Sequence, residues 1–245
     1  TTTAGTGTEA DPWTVITNGD EKIGGGGDQT FPTLSIVDPD FMMTVPPHLT
    51  AYQGFDALFH ACEGYIATIA SPISEMFSLK AIELIGKSLA RAVEHGDDRD
   101  ARADVALANT LAGFVESMSS CTSEHAIEHA LSAYHPKLPH GAGLIAISVA
   151  YYQLFTETCA DKFVQMARAL GKADASRPED FLTALADLQT ACKADAIKLS
   201  DYGVDQTKFA QYADNAKATM GGLFRVDARE VTKADVIDIL SHSYR

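Results

Sequence analysis

The sequence lacks the features that would place it in a membrane, a secretory route or a nucleic-acid complex. It contains no run of about 18 apolar residues, the length a membrane-spanning helix needs. It also shows no basic segment followed by an apolar core, the pattern of a signal peptide. Basic residues are scarce: 19 lysines and arginines against 33 aspartates and glutamates give a net charge of -14. Such an acidic surface repels nucleic acid and anionic membranes, so we expect neither as a partner.

Cysteine is also scarce, and its spacing matches no common disulfide or zinc pattern. The 245 residues include four cysteines, none of them in a CxxC arrangement. We interpret them as reduced thiols and expect a cytoplasmic protein. Cys62 and Cys121 flank the histidine-rich parts of the chain, and we interpret both as buried, apolar core residues.

Helical periodicity is what the sequence contains in abundance. Residues 74–95 place apolar side chains three and four positions apart, after Pro72 and just before Gly96. Residues 102–118 repeat this spacing. Further helices are predicted near residues 142–156, 161–170, 178–193, 206–219 and 233–243. The fold class is therefore mainly α, a helical bundle that extends over residues 48–245.

Residues 1–47 differ from this bundle. They contain glycine-rich runs and two short β-type runs, WTVIT at 13–17 and LSIVD at 34–38, and they end at two prolines. About 45 residues of this kind cannot form a sheet with a core of its own. Their strands must either pack on the helical domain or belong to a larger domain.

A set of acidic and imidazole side chains has the spacing of a metal site. Asp56 and His60 are four residues apart, as are His125 and His129, so each pair lies on one helix face. His140 follows at a turn, in the sequence PHG. One carboxylate and three imidazoles are suitable ligands for iron(II) or zinc, and the spacing leaves open which of the HxxxH histidines binds.

Each of these features also has a purely structural interpretation. An Asp-x-x-x-His pair is usually solvated, and PHG alone is a turn. The combination favours metal binding, because unpaired polar groups beside apolar helices would be costly. The N-terminal TTTAGTGTE loop exposes backbone N–H groups that could receive a phosphate, although such loops are also ordinary turns.

Together these segments resemble the iron-containing (group III) alcohol dehydrogenase family. TTTAGTGTE resembles the family loop PTTAGTGSE, and GFDALFHACEGY resembles its G.DAl.Ha.EaY segment. SEHAIEHALSAYHPKLPHG corresponds to the family's HxxxH…PHG segment, one residue longer between His129 and His140. The similarity continues to the C-terminal DVIDIL segment.

The resemblance implies a ligand set and a cofactor. The implied metal ligands, for Fe²⁺ or Zn²⁺, are Asp56, His60, His125 and His140. His129 would lie near the nicotinamide and relay a proton as the catalytic residue. The implied contacts to NAD or NADP are Thr2, Thr3, Gly5 and Thr6.

The resemblance also assigns the two parts of the chain. Residues 1–47 would be a remnant of the α/β dinucleotide-binding domain, and residues 48–245 the all-helical catalytic domain. We expect a fragment that keeps the metal site but shows no useful activity alone, taken from a protein that forms a homodimer.

The predicted function is reversible oxidation of a small alcohol to an aldehyde or ketone. Alternatives are a glycerol-dehydrogenase-like or dehydroquinate-synthase-like enzyme, or a non-catalytic helical interaction module.

Overall fold

The computed structural model describes residues 1–244, so Arg245, the end of the predicted helical domain, lies outside the described residues. Residues 1–244 form nine α-helices and one two-stranded sheet, which confirms the predicted mainly α fold. No helix among these residues is both long and apolar enough to cross a membrane. The helices are α1 (Pro47–Ile66), α2 (Pro72–Glu94), α3 (Arg99–Ser119), α4 (Ser123–Tyr134), α5 (His140–Gln153), α6 (Ala160–Ala169), α7 (Glu179–Ala191), α8 (Phe209–Phe224) and α9 (Lys233–Ser243).

The ends of these helices follow local capping chemistry. α2 begins after Ser71, whose hydroxyl accepts a hydrogen bond from the backbone N–H of Ser74. α3 begins after Asp98, whose carboxylate accepts one from the N–H of Ala101. Both caps satisfy N–H groups that have no partner inside the helix.

The sheet is a single antiparallel hairpin of β1 (Thr14–Asn18) and β2 (Glu21–Gly25). The register pairs Val15 with Gly24 and Ile16 with Ile23. Gly19 takes φ 60° in the connecting turn, the left-handed region that glycine enters without steric cost. β2 packs on α4 and α8, so the hairpin lies against the helical domain. The β-type run at 13–17 is thus confirmed.

The expectation of a strand at residues 34–38 is wrong. No strand within residues 1–244 pairs with this segment. Its Ile36 carbonyl instead accepts a hydrogen bond from the amine of Thr1, at 2.7 Å. Leu34 and Ile36 stay 79% and 64% exposed, because no neighbouring strand covers them.

α1 is the central helix of the domain. It packs against α2, α3 and α5, and its residues from Gly54 to Ile66 are all buried. This burial includes the polar side chains of Asp56, His60 and Glu63. A helix that buries three ionisable groups must supply them with partners, and those partners form the site.

The threonine- and glycine-rich N-terminal loop is seated on α3 by a close backbone contact. A Cβ added to Gly113 would lie 2.4 Å from the carbonyl oxygen of Gly7, and Gly7 itself has φ +61°. The N–H of Gly7 also donates to Asn109 Oδ1 at 3.0 Å. Two glycines thus bring the loop against α3 and fix its position beside α1.

Candidate metal and catalytic site

Three helices bring the predicted ligands together. Asp56 and His60 lie one turn apart on α1, and His125 and His129 one turn apart on α4. His140 is the first residue of α5. A Cβ on the next residue, Gly141, would lie 2.2 Å from the carbonyl oxygen of Tyr52. The glycine of PHG therefore lets the start of α5 approach α1.

The distances from Asp56 to the three predicted histidine ligands fit a metal ion, and Asp56, His125 and His140 each offer an atom within 4.8 Å of the other two. Asp56 Oδ1 lies 3.5 Å from Nε2 of His60, 3.5 Å from Nε2 of His125 and 3.3 Å from Nε2 of His140. With bonds of ~2.1 Å, ligand atoms in a tetrahedral site are roughly 3.4 Å apart. Asp56 Oδ1 and His125 Nε2 are buried without a hydrogen-bond partner, which a cation between them would supply. The residues present thus fit the metal that the resemblance implies.

Buried carboxylates orient two of these imidazoles from behind. A carboxylate oxygen of Glu63 contacts His125 Nδ1, and one of Glu128 contacts His140 Nδ1. Both contacts leave the Nε2 atoms directed toward Asp56. Carboxylates that hold the second nitrogen of metal-binding histidines typically fix the tautomer and the ring orientation.

The hairpin contributes one side chain that contacts these orienting carboxylates. Lys22, on β2, places its Nζ 3.4 Å from Glu128 Oε2 and donates to Ser132 Oγ at 2.9 Å. The lysine therefore ties the hairpin to the carboxylate that orients His140.

His60 has a different carboxylate partner. Glu116, from α3, places Oε1 2.6 Å from His60 Nε2, the nitrogen that also faces Asp56. Burial, together with the charge of Glu116, raises the pKa of nearby Asp11 to about 8. Cys121 Sγ lies 3.5 Å from the same Glu116 oxygen.

The pKa values of the site residues shift in different directions. Burial alone would raise the pKa of Asp56, but His60 and His140 lower that pKa well below its usual value. Burial would lower the pKa of His140, but the carboxylates of Glu128 and Asp56 raise it. Burial and the neighbouring His140 lower the pKa of His129 well below its usual value. These shifts favour an ionised Asp56, a protonated His140 and a neutral His129.

His129 lies beside the cluster, outside the group of atoms around Asp56. Its ring centroid is 5.2 Å from that of His140 and 6.3 Å from that of His125. His129 Nδ1 is buried and has no hydrogen-bond partner. The structure thus separates the two histidines of the HxxxH segment, with only His125 directed at Asp56.

Two of the four predicted cofactor-binding residues lie at the site and two do not. A Cβ on Gly5 would lie 3.1 Å from Asp56 Oδ2, so Gly5 adjoins the cluster, and Thr6 lines the cavity above it. Thr2 and Thr3 are exposed and lie outside that cavity's lining. The loop therefore reaches the site through its Gly5–Thr6 part.

A cavity of about 520 Å³ opens above the cluster. Its apolar lining includes Trp13 and Val15 of the N-terminal part with Met220 and Leu223 of α8. Its polar lining includes the histidines of the site with Thr6, Thr8, Asp56, Glu116, Ser120 and Cys121. The volume and mixed lining suit a small organic molecule with a polar end.

Sequence reasoning missed several of these residues. Glu63 and Glu128 stand beside predicted ligands in the sequence, and their helical spacing is the signal that could have indicated a second layer. Glu116 and Lys22 carry no such local signal, because only the tertiary fold brings them to the site. The interpretation of Cys62 as a buried core residue is confirmed, whereas Cys121 is half-buried and lines the cavity.

Comparison with known proteins identifies the family of the chain. The model of the Fe-containing alcohol dehydrogenase family, C-terminal, matches residues 50–244. Alcohol dehydrogenase 4 of Saccharomyces cerevisiae is 32% identical over 247 aligned residues, covering 99% of this chain and 63% of that protein.

Two solved structures extend the comparison. An archaeal halo-thermophilic alcohol dehydrogenase from a Red Sea brine pool superposes with a TM-score of 0.93 at 34% identity, covering 99% of this chain and 62% of that one. A sulfoacetaldehyde reductase from Bifidobacterium kashiwanohense, in complex with NAD+, superposes with a TM-score of 0.86 at 26% identity, covering 98% and 62%. The chain thus spans less than two thirds of the length of these relatives. On the family match, the chain belongs to the Fe-containing alcohol dehydrogenase family.

Proposed function

We propose that this chain carries the metal site of an NAD(P)-dependent alcohol dehydrogenase, which interconverts a small alcohol and its aldehyde or ketone. The observation that carries the proposal is the convergence of three imidazole Nε2 atoms on Asp56 Oδ1, at 3.3–3.5 Å. Two of the four atoms are buried without a hydrogen-bond partner. A buried carboxylate and imidazoles so arranged are better explained by a shared cation than by packing.

Asp56, His60, His125 and His140 would hold Fe²⁺ or Zn²⁺. The cation, when bound, supplies Lewis acidity that polarises the alcohol oxygen and lowers its pKa. The protein's own contribution is orientation. Glu63 and Glu128 keep two imidazoles in one tautomer, and the apolar lining of Trp13 and Leu223 limits water around the reacting carbon.

His129 would take the proton that the alcohol releases. Its imidazole lines the cavity, and the lowering of its pKa by burial and by His140 keeps it neutral and able to accept. Nδ1 has no competing hydrogen bond within the described residues. His129 therefore acts as a general base in oxidation and returns the proton in reduction.

The nicotinamide cofactor supplies the hydride chemistry. Gly5 adjoins the cluster and Thr6 lines the cavity, which suits a loop that receives a phosphate or ribose group. A relative of 26% identity forms a complex with NAD+, which supports a nicotinamide cofactor here. We extend the proposal to contacts from Thr2 and Thr3 once the cofactor is bound.

Metal content is the decisive measurement. Protein purified without air is loaded with Fe²⁺ or Zn²⁺ and desalted, and metal per chain is determined by elemental analysis. We expect about one ion per chain in the wild type and loss of that ion in His140→Ala. His242→Ala, which changes an exposed histidine of α9, is the matched control and keeps the ion. Metal-free wild type would overturn the proposal and favour a non-catalytic helical module.

Cofactor binding is measured separately through the intrinsic fluorescence of Trp13. This residue is the chain's single tryptophan, and it lines the cavity. We expect NAD+ or NADP+ to change its emission in the metal-loaded protein. No change with either dinucleotide would count against a cofactor site on this chain.

A further inference from the structure

Glu116 occupies a position that the four-ligand site does not explain. Its side chain comes from α3, a helix that provides none of the four proposed ligands, and the residue is 4% exposed. Its Oε1 lies 2.6 Å from His60 Nε2, within hydrogen-bond distance. It also lies on the wall of the cavity.

Two partners compete for the same nitrogen. His60 Nε2 faces Asp56 Oδ1 at 3.5 Å, which is the direction of the proposed cation. An imidazole nitrogen that binds a metal carries no hydrogen and cannot donate to a carboxylate. A cation on His60 would therefore remove the hydrogen bond between His60 and Glu116.

Within the described residues, the freed carboxylate would keep partners that carry no positive charge. Besides His60, the structure gives the Glu116 carboxylate hydrogen bonds to the thiol of Cys121, at 3.5 Å, and to the carboxyl of Asp11. A thiol is a weak donor, a carboxyl carries no positive charge, and a nearly buried carboxylate without a cationic partner is costly. A cation bound at His60 would be the nearest positive charge.

The charge of the site also favours a contact between Glu116 and the cation. One aspartate and three neutral imidazoles leave one positive charge on a divalent ion, away from bulk water. A second carboxylate neutralises that charge, and in a region of low dielectric constant the attraction is strong.

We propose that Glu116 is a fifth protein ligand of the metal, an oxygen donor that moves from His60 to the cation when the site is loaded. This inference rests on the metal site of the proposed function. It predicts a site with two carboxylates and three imidazoles in place of a closed tetrahedron. Such a set suits a divalent ion that accepts more than four ligands, as iron(II) does.

The first test is a crystal structure of the wild-type protein loaded with Zn²⁺ or Fe²⁺. We expect a Glu116 oxygen at a bonding distance of about 2.0–2.2 Å from the ion. A Glu116 carboxylate that stays on His60, or that points into the cavity, overturns the proposal. A Cys121 sulfur bound in its place overturns it as well, since Cys121 Sγ lies within 4.8 Å of the ligand nitrogens of His60 and His125.

The second test compares metal affinities by competition with a chelator. Glu116→Gln keeps the shape of the side chain and removes its charge, and we expect Zn²⁺ to bind roughly 10–100-fold more weakly. The matched control is Glu124→Gln, another buried acid, at the start of α4. This control keeps wild-type affinity.

The outcomes separate the two proposals. Equal or tighter Zn²⁺ binding by Glu116→Gln, with binding abolished in His140→Ala, removes Glu116 from the ligand set and leaves the four-ligand site standing. A wild type that binds no metal removes both. Circular dichroism and the melting temperature of each variant show whether it is folded.

Discussion

Gly141→Ala is the change that tests most directly how the fold positions the site. A Cβ at this residue would lie 2.2 Å from the carbonyl oxygen of Tyr52, and real Cβ contacts essentially never fall below 3.0 Å. The first turn of α5 must therefore move away from α1 by roughly 0.8 Å or more, and His140, the preceding residue, moves with it.

The expected cost has two parts. Overpacking of this kind destabilises a core by about 1–3 kcal/mol, and for a protein of this size each kcal/mol lowers the melting temperature by about 2–4 °C. Displacing a metal-binding imidazole by nearly 1 Å should also weaken metal binding, by roughly 10–100-fold if the effect matches that of losing an orienting partner.

The assay pairs thermal unfolding of the metal-free protein with Zn²⁺ affinity by chelator competition. Gly221→Ala, in α8, is the control, because a Cβ there meets no atom within 4 Å. The control should match or slightly exceed wild-type stability, since alanine favours a helix by up to about 1 kcal/mol over glycine. If Gly141→Ala behaves like this control in both measurements, the close approach of α5 and α1 does not position His140.

Three further predictions concern buried charge. The Glu63 carboxylate contacts His125 and accepts two hydrogen bonds from Thr122, at 2.7 and 2.8 Å. Glu63→Gln weakens these interactions, so we expect the free energy of unfolding, measured in urea, to fall by about 1–3 kcal/mol. We also expect the variant to bind Zn²⁺ more weakly. Binding of Zn²⁺ near pH 7 should release protons, because the pKa values of His60, His125 and His140 are raised and a metal must displace the protons they hold. Calorimetry in buffers of different ionisation enthalpy measures the number of protons released, and a value of zero contradicts the prediction. Burial raises the pKa of Asp227 to about 7. Between about pH 4 and 7 the folded state therefore holds a proton that the unfolded state has released, so the contribution of Asp227 to the free energy of unfolding falls as pH rises. Asp227→Asn should flatten the slope of unfolding free energy against pH.

The helical part of the fold was predictable because its signals are local. Apolar residues at three- and four-residue spacing, with Pro72 before and Gly96 after, mark α2 to within two residues of its ends. Residues 34–38 show where such reasoning fails. Their alternating apolar side chains favour a strand, but a strand also needs a neighbour to pair with, and composition does not reveal whether one is present.

The site shows the same division between local and tertiary information. The steps from Asp56 to His60 and from His125 to His129 are helical spacings, readable directly from the sequence. The family resemblance, rather than spacing, separated His125 from His129. Glu116 is 56 residues from His60 in the sequence, and no periodicity relates the two. Its contact with His60 exists because α3 packs along α1.

Histidines from α1, α4 and the start of α5 all face one oxygen of Asp56. A cation there would connect parts of the chain that are far apart in the sequence. Sixty-five residues separate His60 from His125, and fifteen separate His125 from His140. A cation held by all three would close both loops at once, as a cross-link does. In the chain-entropy model, closing loops of 15 to 100 residues is worth about 3–5 kcal/mol each, if the unfolded chain is held as well. Even an ion that binds only the folded state raises its stability with the logarithm of free metal concentration. The ion would then act as a reversible cross-link between the helices of the core. The melting temperature of the protein would report the fraction of chains that hold the ion.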